Sequence, residues 1–175
     1  MYTILILIAV VIVGILIYVS TKPNEFHIQR SLSINALPES LFPLINDFHQ
    51  MQKWSAWEKI DPTMKRDIST VASGVGAKYA WAGNKEIGQG TMAISASEPY
   101  TKIAMHMHFI KPFEGHSDIE YSLAQNGSET LVTQTMRGTS TFIPKLMCVL
   151  FINQDKMIGS KFEEGLANLK ALAEQ

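Results

Sequence analysis

The sequence predicts an α+β fold in which a curved antiparallel sheet of about seven strands wraps around a long C-terminal helix, with one transmembrane helix before it. Three features predict this fold. Residues 2–19 are apolar and uncharged, residues 64–137 are strand-like with short turns between strands, and residues 152–172 carry an apolar stripe at helical spacing. These segments follow one another along the chain and set the predicted order of elements.

The first segment, Tyr2–Val19, contains no charged residue. As a helix it would be roughly 27 Å long, which matches the hydrocarbon thickness of a bilayer. It lacks the basic start and the small-residue cleavage site of a secretory signal peptide. We therefore expect residues 1–19 to form a retained transmembrane anchor, residues 20–25 a linker, and residues 26–175 one ligand-binding domain.

The short linker should hold this domain against the bilayer of a single-pass membrane protein. Lys22 and Arg30 follow the span and no Lys or Arg precedes it, so the positive-inside rule favours a cytoplasmic domain.

The overall charge excludes one class of partner. The chain has 15 Lys and Arg against 16 Asp and Glu, without a basic cluster, and this balance argues against nucleic-acid binding. Cys148 is the only cysteine, so the chain has no intramolecular disulfide and no cysteine-based zinc site. Its apolar surroundings predict an inert, buried thiol.

The domain begins with a predicted strand and two short helices. Residues Phe26–Ile34 alternate between apolar and polar side chains, with Arg30 as an exception on the apolar side. Pro38 is typical of a first helical turn, and Asp47 with Gln50 resembles a capping box that starts a second helix.

The next part of the chain is predicted to form an antiparallel meander, because its turns are too short for crossover connections. Glycine, proline and asparagine divide it into strands at approximately 63–70, 76–82, 86–96, 100–110, 116–125 and 129–138.

A long C-terminal helix is predicted after Gly138. Gly159 and Gly165 each cost it about 1 kcal/mol relative to alanine, so we expect close packing against the sheet at both positions. Residues 142–152 are apolar nearly all round, which predicts a segment that is either buried or in contact with lipid. We expect it to border a cavity mouth near the bilayer.

Four segments carry a resemblance to a known family. They are WSAWEKIDPTMK at 54–65, GVGAKYAWAGNKEIGQG at 74–90, KPFE at 111–114 and GLANLK at 165–170. In this order they resemble the polyketide cyclase/dehydrase-like branch of the START-related (SRPBCC) superfamily. The resemblance implies a helix-grip fold that holds hydrophobic molecules between the sheet and the long helix, and some members of the superfamily are enzymes.

Large apolar side chains are the candidates for the cavity wall, with ordinary core packing as the alternative. Tryptophans supply flat apolar surface, and methionines adapt to irregular ligands. The candidate ligand-binding residues are Trp54, Trp57, Trp81, Met105, Met107, Phe109, Tyr121, Ile158 and Phe162.

Two histidines and two carboxylates form the group that most resembles a reactive or metal-binding site. A hairpin around residues 113–114 would place His108 near Asp118 and His106 near Glu120. Such a set could bind a metal, but a solvated face with charge pairs is the favoured interpretation. We therefore predict no metal site.

The predicted function is binding of a hydrophobic small molecule or lipid from the same membrane, without a cofactor. The sequence has no nucleophile elbow, no phosphate-binding glycine loop and no zinc spacing, so no catalytic residue is assigned. One alternative is a cyclase-like or dehydratase-like enzyme on an apolar substrate, which an inward Glu58, Glu86 or histidine would favour. Another is a protein-interaction module whose groove takes a partner helix.

Overall fold

The computed structural model describes residues 2–175. It contains five α-helices, seven strands and one 3-10 turn. In chain order these are α1 Tyr2–Ser20, β1 Glu25–Ile34, α2 Pro38–Asn46, α3 Phe48–Trp54, the 3-10 turn Ala56–Lys59, β2 Lys65–Ile68, β3 Lys78–Ala82, β4 Gln89–Glu98, β5 Lys102–Lys111, β6 Gly115–Asn126, β7 Glu129–Thr139, α4 Phe142–Leu150 and α5 Gln154–Ala173.

All seven strands belong to one antiparallel sheet with the order β1-β7-β6-β5-β4-β3-β2. Strands β2 to β7 form the predicted meander, and β1 closes it by pairing with β7. Helix α5 packs against β1, α3 and the 3-10 turn, on the side of the sheet that carries the core. The predicted fold, a curved sheet with a C-terminal helix across it, is confirmed as a helix-grip arrangement.

Helix α1 is long and apolar enough to cross a membrane, judged by length and composition. Most of its side chains are exposed, and only Val19 in its last turn is buried. The hydroxyls of Ser20 and Thr21 donate hydrogen bonds to the carbonyls of Ile17 and Tyr18, which satisfies two acceptors at the end of the helix.

The two short helices begin where local signals predict them. Pro38 occupies the first turn of α2, and the Asp47 carboxylate caps α3 by accepting a hydrogen bond of 2.7 Å from the backbone amide of His49. Phe48, Met51 and Trp54 of α3 are buried in the core, as the spacing predicts.

The C-terminal helical region consists of two helices rather than one continuous stripe. Helix α4 ends at Leu150, and the side chain of Asn153 accepts a hydrogen bond of 2.9 Å from the amide of Lys156 and so caps a new helix, α5. Met157, which the sequence places in the apolar stripe, lies near the start of α5 and is 50% exposed, whereas Ile158 is buried.

Arg30, the exception in the apolar pattern of β1, faces α5. Its guanidinium donates to the carboxylates of Asp155 at 2.9 Å and Glu163 at 2.6 Å. A Cβ at Gly159 would collide with this guanidinium, which explains the close packing predicted there. The prediction is wrong for Gly165, because its neighbours are Trp54 and Ala56 and not the sheet.

One end of the sheet lies next to the linker that follows α1. We call it the α1 end; here β1 begins at Glu25, β7 ends at Thr139, and the hairpin of residues 112–114 joins β5 to β6. The pocket and the hairpin site described below lie at this end.

Candidate functional site

A pocket of about 600 Å³ lies at the α1 end, between the start of β1 and the turn that joins α4 to α5. We call it the junction pocket. Phe26 is the first inward-facing residue of β1, and it forms part of the pocket wall and also packs against the core. The junction pocket is lined by residues 22–26, Ser140, Lys145 and residues 148–154.

Lys145 fixes the geometry of this pocket. It is only 6% exposed, and its ammonium donates hydrogen bonds to the backbone carbonyl of Lys22 at 2.9 Å and to Oδ1 of Asn24 at 2.8 Å. The amide of Ser140 also donates to the carbonyl of Asn24 at 2.8 Å. These bonds hold the linker against α4 and the end of β7. Sequence reasoning missed Lys145, although a single charge within an apolar helix was the available signal.

Helix α4 presents an apolar surface to solvent. Phe151, immediately after the helix, is 77% exposed and Ile143 is 59% exposed. Helix α4 also contacts α1, so the apolar surface of α1 continues onto this helix. We call this surface the α4 face; its exposed members are Phe142, Ile143, Met147, Leu150 and Phe151.

Cys148 is half-buried and lines the junction pocket. Burial raises the pKa of its thiol above the ordinary value, so the group is protonated near neutral pH. A protonated thiol in an apolar wall acts as a small hydrophobic side chain. The prediction that Cys148 is buried is wrong, because its side chain is partly exposed in the pocket wall.

The nine predicted ligand-binding residues lie together in the interior, and none of them lines the junction pocket. Six are buried, whereas Trp57, Met107 and Phe109 are half-buried against the core. Their rings contact one another edge to face: Trp54 and Tyr121 have centroids 6.0 Å apart, and Trp81 and Phe109 5.8 Å apart. Side chains of the core therefore occupy the space between the sheet and α5 where these residues lie.

Glu58, a candidate acid of the enzyme alternative, belongs to a polar cluster at the β2–β3 side of the sheet. Its side chain is 13% exposed and accepts hydrogen bonds of 2.6 Å each from Arg66 Nε and from the hydroxyl of Tyr79. Burial and the bond to Glu58 raise the pKa of Tyr79. These two bonds hold the Glu58 side chain between Arg66 and Tyr79, which suits a structural role more than proton transfer.

The other candidate acids and bases face outward. Glu86 is exposed, and each of the five histidines, His27, His49, His106, His108 and His116, is exposed or half-buried outside the core. Asp61 is buried in a turn, where its carboxylate accepts hydrogen bonds from Thr63 and from the amide of Asn84.

The predicted pairing of the outer-face histidines is wrong by two residues. His106 lies opposite Asp118, to which it is hydrogen-bonded, and Glu120 lies opposite Ala104 and pairs with Lys102 at 3.5 Å. The β5–β6 turn is centred on residue 112, one position earlier than predicted, and each residue of turn displacement moves a cross-strand partner by two. His108 accordingly lies opposite His116.

Solved structures share this fold over most of the described chain. Protein CV1439 from Chromobacterium violaceum is 16% identical, with 88% of this chain and 99% of that chain covered and a TM-score of 0.61. The Aha1 dimer from Colwellia psychrerythraea is 19% identical, covering 83% and 93%, with a TM-score of 0.55. The di-domain ARO/CYC BexL of the BE-7585A biosynthetic pathway is 10% identical, covering 90% and 52%, with a TM-score of 0.62.

Comparison with curated proteins finds no match to the chain. A family does match, and it covers residues 35–174, which include every element from α2 to α5. The segment before residue 35, containing α1 and β1, lies outside that match. The chain belongs to the family described as Activator of Hsp90 ATPase homolog 1-like protein (AHSA1), within the START-related (SRPBCC) superfamily.

Proposed function

We propose that this protein is a single-pass membrane protein whose domain binds a hydrophobic small molecule or lipid taken from the same membrane. In this proposal residues 1–19 are the anchor, residues 20–25 the linker and residues 26–175 the binding domain. One observation carries the proposal: the junction pocket lies where the linker, the apolar α4 face and Phe26, which also packs against the core, meet.

The chemistry of the pocket wall suits an amphipathic ligand. Its apolar side is formed by Phe26 and the segment 148–152, and Lys22 and Lys145 contribute the basic groups of the lining. Pockets for small molecules commonly combine an apolar wall with a few polar groups. An acyl chain against the wall with a polar or acidic head group near Lys22 would satisfy both parts.

The nine interior residues are proposed as the deeper wall of the site. Phe26 touches both the junction pocket and the core, so a ligand that displaced its ring would reach the core cluster to which these residues belong. Methionine side chains re-pack at low cost, which favours adaptation of this region to a ligand. Proteins of this fold typically bind hydrophobic ligands in that interior.

A photo-crosslinking experiment tests the proposal. The full chain in lipid nanodiscs is irradiated with a diazirine derivative of palmitic acid, and the modified peptides are identified by mass spectrometry. We expect adducts on residues 148–154 and on Phe26, and their loss in Cys148→Trp, whose indole fills the pocket. Cys148→Ser is the matched control and should keep them.

Adducts confined, in the wild type, to α1 and to Phe142, Ile143 and Met147, the members of the α4 face that do not line the pocket, would contradict the proposal. Adducts in the pocket that persist in Cys148→Trp would contradict the assignment of the pocket as the binding site. Adducts on Ile158 and Phe162 would support the interior as the deeper part of the site.

The polyketide cyclase/dehydrase-like activity stays a second candidate, which the di-domain ARO/CYC neighbour favours at the level of the fold. Glu58 is the better shielded of the two predicted carboxylates, because its side chain is 13% exposed whereas Glu86 is exposed, and it forms an ion pair with Arg66. Conversion of an apolar polyketide by the purified protein, abolished by Glu58→Gln, would establish this activity.

A further inference from the structure

We propose that the hairpin between β5 and β6 carries a binding site for a divalent transition-metal ion, formed by His108, Glu114 and His116. The site lies on the outer face of the sheet, opposite the core. It is independent of the proposed hydrophobic ligand, and either site can exist without the other.

The two histidines are held together by the ladder of the sheet. His108 and His116 lie directly opposite each other on β5 and β6. Their imidazole rings stack with centroids 4.3 Å apart and planes inclined by 10°. Neighbouring pairs on both sides of this position belong to the same antiparallel ladder, so the backbone separation of the two rings is fixed by the strands.

Glu114 completes the set from the turn. Its Oε1 lies 3.1 Å from Nε2 of His108. One potential ligand atom from each of the three residues lies within 4.8 Å of the other two. Two imidazole nitrogens and one carboxylate oxygen therefore lie close enough for side-chain rotation to bring them around one ion at the hairpin.

This donor set matches the preferences of borderline divalent metals. Imidazole nitrogen suits zinc, copper and nickel, and two histidines with one glutamate form a known zinc ligand set that leaves a position for water. Around zinc the ligand atoms would be about 3.3 Å apart, given bond lengths of about 2.0–2.1 Å in a tetrahedron. The glutamate side chain is 75% exposed in a turn, so its rotation can supply much of the required contraction.

The adjacent outer-face pair provides a built-in comparison. His106 is hydrogen-bonded to Asp118 two residues further along the same strands, and Arg137 lies opposite Asp118 on β7. A guanidinium at that position competes for the carboxylate and disfavours a cation there. Replacement of His106 therefore tests whether any histidine of the outer face supports metal binding, or whether His108, Glu114 and His116 are required.

The experiment uses the full chain in detergent, purified without a polyhistidine tag and stripped with a chelator. Titration with zinc chloride by calorimetry is expected to show one ion per chain at a dissociation constant in the micromolar range. His108→Ala and His116→Ala should each weaken binding by about tenfold or more, and Glu114→Gln by a similar factor. His106→Ala and His49→Ala are matched controls that should change it less than about twofold.

Cobalt chloride gives an independent readout, since d–d absorption in the visible range reports the ligand geometry. Absence of saturable zinc binding below about 100 µM in the wild type would overturn the proposal. Equal loss of affinity in His106→Ala and His116→Ala would also overturn it. Circular dichroism of each variant distinguishes loss of the ligand from loss of the fold.

Discussion

The guanidinium of Arg30 occupies the space in which a side chain at position 159 would begin. Arg30 is on the edge strand β1 and Gly159 is in the second turn of α5, one turn after Asp155, which Arg30 also binds. The Arg30 side chain joins β1 to α5 here, and it fits because Gly159 has no side chain at this position. Gly159 is therefore retained for space, against its own low helix propensity.

Alanine substitutions at the two glycines of α5 should behave differently. Gly165→Ala is expected to raise the free energy of unfolding by about 0.5–1 kcal/mol, because its Cβ would meet atoms of Trp54 and Ala56 at an ordinary 3.7 Å. Gly159→Ala is expected to show no such increase, because Arg30 must move away from the carboxylates of Asp155 and Glu163. Chemical denaturation of the full chain in detergent measures both.

The double variant Arg30→Ala, Gly159→Ala provides the internal control. With the guanidinium gone, alanine at position 159 should recover the helix-propensity gain relative to Arg30→Ala alone. Equal stabilisation by the two single glycine variants would show that the guanidinium imposes no constraint.

Stability at acid pH should depend on Asp61. Hydrogen bonds from the Thr63 hydroxyl and the Asn84 amide lower the pKa of Asp61 below its ordinary value. The contribution of Asp61 is complete above the unfolded-state pKa, about 3.9, and is lost as the pH falls through the lower folded-state value. In Asp61→Asn the unfolding midpoint should therefore decrease less steeply than in the wild type as the pH falls below about 4.

Asp67, exposed on β2, is the matched control for this pH series. Asp67→Asn should leave the acid dependence of the midpoint close to that of the wild type. A profile for Asp61→Asn as steep as that of the wild type would contradict the assigned role of Asp61.

The Tyr79 hydroxyl should contribute to stability through Glu58. Tyr79→Phe leaves the partly buried carboxylate of Glu58 with Arg66 but without its second donor, at an expected cost of about 1–2 kcal/mol. Tyr100→Phe, at an exposed turn, should cost little. Thermal unfolding of the two variants measures the difference. Equal destabilisation by Tyr79→Phe and Tyr100→Phe would show that the Tyr79–Glu58 hydrogen bond makes no net contribution to stability.

The α4 face should touch the bilayer if α1 spans it. A fluorophore on Ile143→Cys, in a Cys148→Ser background, is expected to be quenched by brominated lipids in nanodiscs. Val71 has the same 59% exposure as Ile143 but lies before β3, away from α1, so Val71→Cys should show little quenching. Similar quenching at both positions would contradict a specific membrane contact.

The linker should become mobile when Lys145 is replaced. Lys145→Met keeps the buried aliphatic volume but removes the donors to Lys22 and Asn24. We expect faster amide hydrogen exchange of residues 20–25, by about tenfold for a loss of about 1.4 kcal/mol of local stability. Lys156→Met, at an exposed position of α5, is the control. Unchanged linker exchange in Lys145→Met would show that other contacts hold this segment.

The order of elements was predictable because its signals are local. Alternation marks Phe26–Ile34, and Pro38 and Asp47 mark helix starts whatever the rest of the chain does. The pairing of His108 with His116 was not predictable in this way. It depends on which residue centres the β5–β6 turn, and an error of one position exchanges every partner on the strand.

The candidate site likewise has features that local sequence signals predict and features that depend on three-dimensional packing. Large apolar residues such as Trp54 and Phe162 were correctly placed in the interior, since their spacing reports burial. Whether space is left between them depends on side-chain packing in three dimensions, which alternation does not contain. Arg30 and Lys145 violate the apolar pattern of their elements, and their partners lie more than a hundred residues away in sequence.

The attachment of Lys145 to the linker limits how the domain can move as a whole. A free linker would let the domain change its orientation relative to α1. Here the linker is bonded to α4, and β1 follows it directly into ten paired positions with β7. If α1 spans a bilayer as proposed, the domain tilts together with it, and the junction pocket keeps a constant height and orientation above the lipid surface.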